Sequence, residues 1–211
     1  MKNIVEIIDY KDHVIKIISD HECDSPDDWG DNDYFLVYDH RNFTITRKGF
    51  DPQDIFDAMQ KRAKLYDDYF YFPVYAYIHS GISLQLQRWF PGLPQGHNEF
   101  DVSFKGFALV KRQKGSYIRD KAYEIAKSVV EEWNDYLSGN VYGYIVEKDD
   151  EHIDSCWGFY GDYEKSGIIE EAKNVVDWQV KKALQAHITR LKTYIRNHVP
   201  LEVRAECEVY C

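Results

Sequence analysis

The stretch NVYGYIVEKDDEHIDSCWGFYGDYEKSGIIEEA, Asn140 to Ala172, holds two runs rich in β-forming residues, Val141 to Val146 and His152 to Tyr160, on either side of the charged turn Glu147 to Glu151. Such a pair predicts a β-hairpin. The second run empties into Gly-Asp-Tyr-Glu-Lys-Ser-Gly, after which Ser166 or Gly167 opens a long helical pattern. A hairpin running straight into a helix sets the expected class: α+β, with mostly antiparallel sheet packed by two to three helices, one of them a long C-terminal helix. Trp157, Phe159 and Tyr160 sit beside Gly158 and Gly161, so large rings adjoin permissive backbone. That arrangement fits a core plug and a contact surface equally well.

Downstream, Ile168, Ala172, Val175, Val176, Ala183, Ile188, Leu191 and Ile195 recur at helical spacing up to about His198. Glu170, Glu171 and Asp177 fall in the first half, and Lys181, Lys182, Arg190, Lys192 and Arg196 in the second, which suits the helix dipole. About 30 residues at ~1.5 Å each span roughly 45 Å, long for a globular helix, so a break near Trp178 is expected. Pro200 stops the run, and Leu201 to Tyr210 alternates as a final strand would.

Upstream, Tyr117 to Leu137 places Ile118, Ala122, Ile125, Ala126, Val129, Val130, Trp133 and Leu137 on one stripe, with Gly139 set to terminate the helix. YFYFPVYAYIHSGISLQLQRW, Tyr69 to Trp89, is strongly strand-like, and Pro73 places the strand start after it or the strand at an edge. His79-Ser80-Gly81 bends the strand or joins two strands. Trp89 to Phe100 is a Pro/Gly loop and Phe104 to Lys111 a strand. Asp51 caps a helix that begins at Pro52 and runs through Ile55, Phe56, Met59, Ala63 and Tyr66 to about Asp68. Tyr34 to Tyr38 pairs with Phe43 to Thr46, and Val5 to Tyr10 with Val14 to Ser19 around Lys11-Asp12-His13. Residues 1–211 are expected to form one domain, with 1–68 the segment that could stand as a subdomain.

A hydrophobic share of 44% with 16% aromatic residues supports a packed interior. The net charge of −10 opposes general affinity for nucleic acid or anionic membrane, because that binding rests on cationic side chains; it suits a cationic partner, or nothing beyond solubility. No apolar run approaches the roughly 20 residues that span a bilayer, and the first residues lack a signal segment, so a cytoplasmic setting is expected. Cys23, Cys156, Cys207 and Cys211 form no Cys-x-x-Cys pair and are expected to be free thiols without a metal. DHECDSPDDWGDND, Asp20 to Asp33, is the acidic centre of the chain. It is a solvated loop or a negative contact surface; from Asp24 or Asp27 the calcium-loop register fails.

Four phrases together resemble a widespread set of uncharacterised proteins of bacteriophages and integrative elements. They are the acidic loop with Ser25-Pro26 and Trp29, Tyr77-Ile78-His79-Ser80-Gly81-Ile82-Ser83, Tyr136-Leu137-Ser138-Gly139-Asn140-Val141-Tyr142-Gly143-Tyr144, and Asp154-Ser155-Cys156-Trp157-Gly158-Phe159-Tyr160-Gly161. Their order agrees and covers most of the chain. Trp89 to Asp101 departs from the Pro-Trp-Asp-Ser-Gly type of loop usual there. The resemblance implies an accessory protein of a mobile element acting in the cytoplasm of a host bacterium, and it brings no activity with it.

The chain lacks a phosphate-binding Gly-rich loop, a nucleophile elbow and a His-Glu-x-x-His pair. A non-enzymatic role leads: an inhibitor of a bacterial defence or nucleic-acid-processing system, with an acidic surface occupying a basic cleft of a host protein and no direct contact to nucleic acid or membrane. Candidate contact residues are Asp27, Asp28, Trp29 and Asp31 of the loop, His79 and Ser80, and Tyr142, Asp154, Cys156, Trp157 and Tyr160 of the hairpin. His79 and Ser80 are strand neighbours that point to opposite faces, so they are not nucleophile and base. The alternative is a small-nucleotide binder or hydrolase with a pocket around His79, Asp154 and Cys156. A structural or assembly protein, including a homo-oligomer, is the third reading. No cofactor or metal is expected. Because Ile78 to Gly81 and Asp154 to Gly158 are the two places where strand formers give way to small and polar residues, His79 and Trp157 to Tyr160 are expected to lie together.

Overall fold

The computed structural model describes residues 3–29, 33–61, 65–112 and 119–206, with the side chains of Trp29 and Glu206 left aside. Asp31, Ala63, Tyr117, Ile118, Cys207, Tyr210 and Cys211 lie outside the described residues. The chain divides into two compact units. The first comprises the described residues of 1–18, 143–157 and 164–211, and the second those of 19–142 and 158–163. Both contain antiparallel sheet and helix, and the fold is α+β.

The second unit is built on strands β3 (Tyr34–His40), β4 (Phe43–Ile45), β5 (Tyr69–Ile78), β6 (Ile82–Gln85) and β7 (Val102–Lys111), in the order β4-β3-β7-β5-β6. The alternation of β3 divides its side chains between two cores. Leu36 and Tyr38 face the helix α3 (Arg119–Ser138), whose Ala122, Ala126, Val129, Val130 and Trp133 are all buried. Phe35 and Val37 face the other way, toward Ile55 of the helix α1 (Pro52–Gln60). Burying Val129 and Val130 contributes about 1.5–3 kcal/mol each, enough to fix the rotation of α3 over the sheet. The outer edge of β6 is closed by Asn134 of α3, whose Oδ1 accepts from the Leu84 N–H at 2.7 Å and whose Nδ2 donates to the Leu84 carbonyl at 2.9 Å. An edge strand that would template pairing is thereby satisfied within the chain.

The strands β1 (Ile4–Tyr10), β2 (His13–Ser19), β8 (Val141–Lys148) and β9 (Glu151–Tyr160) lie in the order β1-β2-β8-β9, and all but the ends of β2, β8 and β9 belong to the first unit. Ile15, Ile17, Tyr144 and Val146 are buried on the sheet. Ile168, Ala172 and Val176, four residues apart, are buried on the helix α4 (Ile168–His198). Lys11 joins the β1–β2 turn to Asp177 of α4 at 2.8 Å. The Lys11 and Lys173 ammonium groups both lie over the Tyr10 ring, 5.1 and 5.6 Å from its centre.

Several expectations hold in kind but shift at their ends. Both hairpins turn on two residues with positive φ, Lys11-Asp12 and Asp149-Asp150, so they are tighter than the three- and five-residue turns expected. Pro73 lies within β5 rather than before it. It pairs with Phe107 on one side, and β6 reaches only as far as Tyr75 on the other, so the missing N–H leaves no ladder bond unmade. The helix from Pro52 ends at Gln60, and Tyr66 has φ +50 outside it. Tyr66 instead turns back to donate its hydroxyl to the Gly49 carbonyl. No break occurs near Trp178: α4 is continuous over 31 residues. The expected last strand is corrected, since Leu201–Glu206 is a helix, α5. Pro200 supplies a carbonyl for the Arg204 N–H, and Leu, Glu, Arg and Ala are better helix formers than strand formers once no neighbouring strand selects the alternation. Among the described residues no helix is long and apolar enough to cross a membrane.

Candidate functional site

In the second unit the acidic loop and the end of the aromatic hairpin meet. The Asp20 N–H donates to the Val141 carbonyl at 2.7 Å, which pins the start of the loop. The segment then closes on itself: the Ser25 N–H and Oγ donate to Asp28 Oδ2 at 3.1 and 2.8 Å, and the Asp28 N–H returns to the Ser25 carbonyl at 2.9 Å. Pro26 is buried and opens a short 3-10 turn to Trp29 that packs on α3. At the far side Tyr160, the last residue of β9, donates its hydroxyl to the Asp24 carbonyl at 2.7 Å.

Burial works against negative charge at three carboxyls and a phenol of this corner. Burial pushes the Asp27 carboxyl up to about 6, against the pull of Arg47 and with a further push from Asp28. Its Oδ2 is buried with no hydrogen-bond partner among the described residues. On the last turns of α3, burial raises Glu132, helped by Asp135, and burial raises Asp135 against a hydrogen bond from Asn140. The Tyr160 phenol is raised by burial first and then by Cys23, Tyr136, Glu132 and Asp20. Gly161, with φ +86, lets the chain leave β9 close to Asp135, whose Oδ2 lies 3.2 Å from where a Cβ would stand. A cation brought here would favour the ionised carboxylates of Asp27, Glu132 and Asp135.

A second cluster in the same unit surrounds His79, which caps β5. The Tyr77 ring is stacked on His79 at 6.2 Å and 11°, and His97 approaches His79 to 5.7 Å between centroids. Nδ1 of His97 lies 2.7 Å from Asp101 Oδ2, its i,i+4 neighbour on and after the short helix α2 (His97–Phe100), and 3.3 Å from the Tyr77 hydroxyl. Asn98 is buried and holds the loop shut, accepting from the Phe90 N–H at 2.7 Å and donating to the Phe90 carbonyl at 2.9 Å. Ser80 is exposed in the tight β5–β6 turn, where the His79 N–H donates to the Gly81 carbonyl.

The remaining predicted residues fall elsewhere. Tyr142 meets Tyr163 edge to face at 5.5 Å. In the first unit Asp154 accepts from the Ser155 N–H and helps, after burial, to push the Tyr144 phenol up to about 12. Cys156 and Cys23 are free thiols. Trp157 is 39% exposed and lies across Gly143, where a Cβ would run into the indole ring. His79 has Tyr77 and His97 around it, whereas Tyr160 has Asp24, Cys23, Glu132 and Tyr136. Asp27 and Asp28 lie in the 3-10 turn of the acidic loop, where Asp28 accepts from Ser25 and braces the turn.

Sequence reasoning missed Glu132, Asp135 and Tyr136, because acids off an apolar stripe are normally solvated. The available signal was their position: carboxylates in the last turns of a helix, with no basic residue there, oppose the helix dipole. It also missed His97 and Asp101, whose four-residue spacing on a short helix was the available sign. Among the described residues no group of three or more His, Cys, Asp or Glu side chains is placed to hold a metal ion. No family model, no curated protein and no solved structure matches this chain.

Proposed function

We propose that this protein is a binding module whose acidic corner, Asp20, Asp24, Asp27, Glu132 and Asp135 around Tyr160, occupies a basic cleft on a host protein. The observation that carries the reading is the Tyr160 hydroxyl bond to the Asp24 carbonyl, which joins the acidic loop to the hairpin end beside two half-buried carboxyls of α3. A solvated loop has no reason to lean on a half-buried phenol or to keep carboxyls where burial penalises their charge. A cationic partner supplies that reason, because it recovers the cost only in the complex. The resemblance to mobile-element proteins gives the setting: an accessory protein in the host bacterial cytoplasm that inhibits a defence or nucleic-acid-processing system by contact.

The test is capture from host lysate with the wild-type chain and with Asp24→Asn/Glu132→Gln/Asp135→Asn, followed by association kinetics across salt. One dominant basic partner, with an association rate that falls about tenfold or more in the triple variant at low salt, supports the proposal. Equal rates at every ionic strength refute it.

A second reading rests on the other cluster. The Asp101 carboxylate orients His97 as a general base requires, and the Tyr77 and His79 rings offer a stacking face for a nucleobase. Calorimetric titration with nucleoside mono- and triphosphates tests it, and absence of heat with both wild type and His79→Ala removes it.

A further inference from the structure

The helix α4 is buried only at its beginning, through Ile168, Ala172 and Val176. From Val180 to Tyr194 every residue is exposed, including Leu184 at 57%, Ile188 at 37% and Leu191 at 47%. A bare helical stretch of this length is marginal in water, since helices in proteins draw most of their stability from covering an apolar face. Leu184, Ile188, Leu191 and Ile195 follow one another at spacings of four, three and four. That is the seam of a coiled coil, with Leu at both d positions and Ile at both a positions, the combination that favours two parallel strands.

We propose that the second half of α4 pairs with the same segment of a second copy of this chain as a short parallel two-stranded coiled coil. The positions flanking the seam are Gln185 and Lys192 at e and His187 and Tyr194 at g, so a single fixed charge borders the contact. Lys182, Arg190 and Arg196 take b, c and b positions on the outside. In a pair of helices each about 10 Å across, those cations stand roughly a Debye length or more apart and repel weakly at physiological salt. Lys181 and His198 occupy the a and d positions just beyond the four apolar ones and limit the seam to two heptads.

The charge pattern also decides against other occupants. No Asp or Glu lies between Asp177 and Glu202, yet Lys182, Arg190 and Arg196 sit behind the seam, Lys192 alone borders it and Lys181 stands at its end. A nucleic acid drawn to them would leave the apolar residues in water. An anionic bilayer wants a broad apolar face with cations at its borders, and this stripe is narrow. A second copy covers the seam and leaves the cations solvated, and the two-fold arrangement closes the assembly at two chains.

Sedimentation equilibrium of the full chain across the micromolar range is the test, with Ile188→Glu/Leu191→Glu as the disrupting variant. Both residues are exposed in the single chain, so the variant keeps its fold, which an unchanged melting transition of the sheet core verifies. A dimer in wild type and a dissociation constant weakened about a hundredfold or more in the variant support the proposal. A monomeric wild type, a dimer untouched by the double substitution, or a trimer or larger species overturns it. Orientation is read from mild oxidation of L191C, which bridges to its own copy when the helices run parallel. Bridging confined to a mixture of L184C and I195C chains marks an antiparallel pair and overturns the parallel assignment.

Discussion

Replacing Asp27 by Asn isolates the strain in the acidic corner. The carboxyl is held at about 6 against an ordinary 3.8, with burial as the main cause. A raised pKa means that the folded chain prefers the protonated acid. The contribution is therefore fully present below about pH 4, declines as pH rises through 6, and is gone at neutrality. The full linkage would be about 3 kcal/mol at ~1.4 kcal/mol per pH unit. Asp27 retains a solvent-facing side and a cation, Arg47, nearby, so screening reduces this to about 1–2 kcal/mol. Asn has the same shape and no charge to desolvate. Urea denaturation followed by far-UV circular dichroism at about pH 4, 6 and 7.5 should thus show the two chains nearly alike in acid and Asp27→Asn more stable by about 1–2 kcal/mol at the highest pH. In partner binding the same variant should be weaker. A stability difference that does not change with pH, or a variant less stable at neutrality than in acid relative to wild type, refutes the account of a strained carboxylate.

Two glycine substitutions distinguish rigid from yielding contacts. Gly106→Ala would drive a Cβ into the Val37 carbonyl and the Tyr38 backbone and ring, so β3 and β7 must separate in the core; a loss of about 2–4 kcal/mol by chemical denaturation is expected, and a loss under about 1 would show the sheet gives way there. Gly143→Ala meets only the Trp157 ring, which is partly exposed and can swing aside, so the expected cost is about 1–2 kcal/mol with a red-shifted indole emission, and an unchanged emission spectrum would contradict the displacement.

Local patterns carried the fold where the deciding interactions are local. The stripe from Ala122 to Trp133, the Asp51 cap with its side chain accepting from the Gln53 N–H at 2.7 Å, and the hairpins around Lys11 and Asp149 all stand where periodicity and turn chemistry placed them. Expectations failed where a distant segment, or its absence, decides. Leu201 to Tyr210 alternates, but alternation selects a strand only beside another strand. Pro73 allowed either a strand start after it or an edge, and the second holds, because β6 reaches along β5 only to Tyr75 and leaves that side of Pro73 open. The pairing of β3 with β7, Leu36 opposite Ala108, joins residues far apart in the chain that no local rule connects. Of the candidate site, the acidic loop and Tyr160 stand out in the sequence. Its other half was hidden in α3, whose apolar stripe draws the eye from Glu132 and Asp135.

Those two carboxyls matter because stability alone would remove them. They lie where the dipole of α3 is negative, beside one another, and where burial raises both pKa values. Each of these conditions disfavours the charged form, and an amide at either position would avoid all three. The chain also commits backbone to the same place: Gly161 turns at positive φ beside Asp135, and its N–H donates to the Asn140 carbonyl at 2.9 Å. The Asp20 N–H fastens to Val141 one residue further on. Three segments distant in sequence thus hold a concentration of negative charge that the isolated fold does not need. A solvated decoration would be the part of the chain least constrained by its neighbours, whereas this corner is braced by α3, the 3-10 turn and the end of β9. A braced group that opposes folding in its charged form either takes up a proton or meets a compensating cation, and the second outcome is the one on which the proposed contact with a basic partner rests.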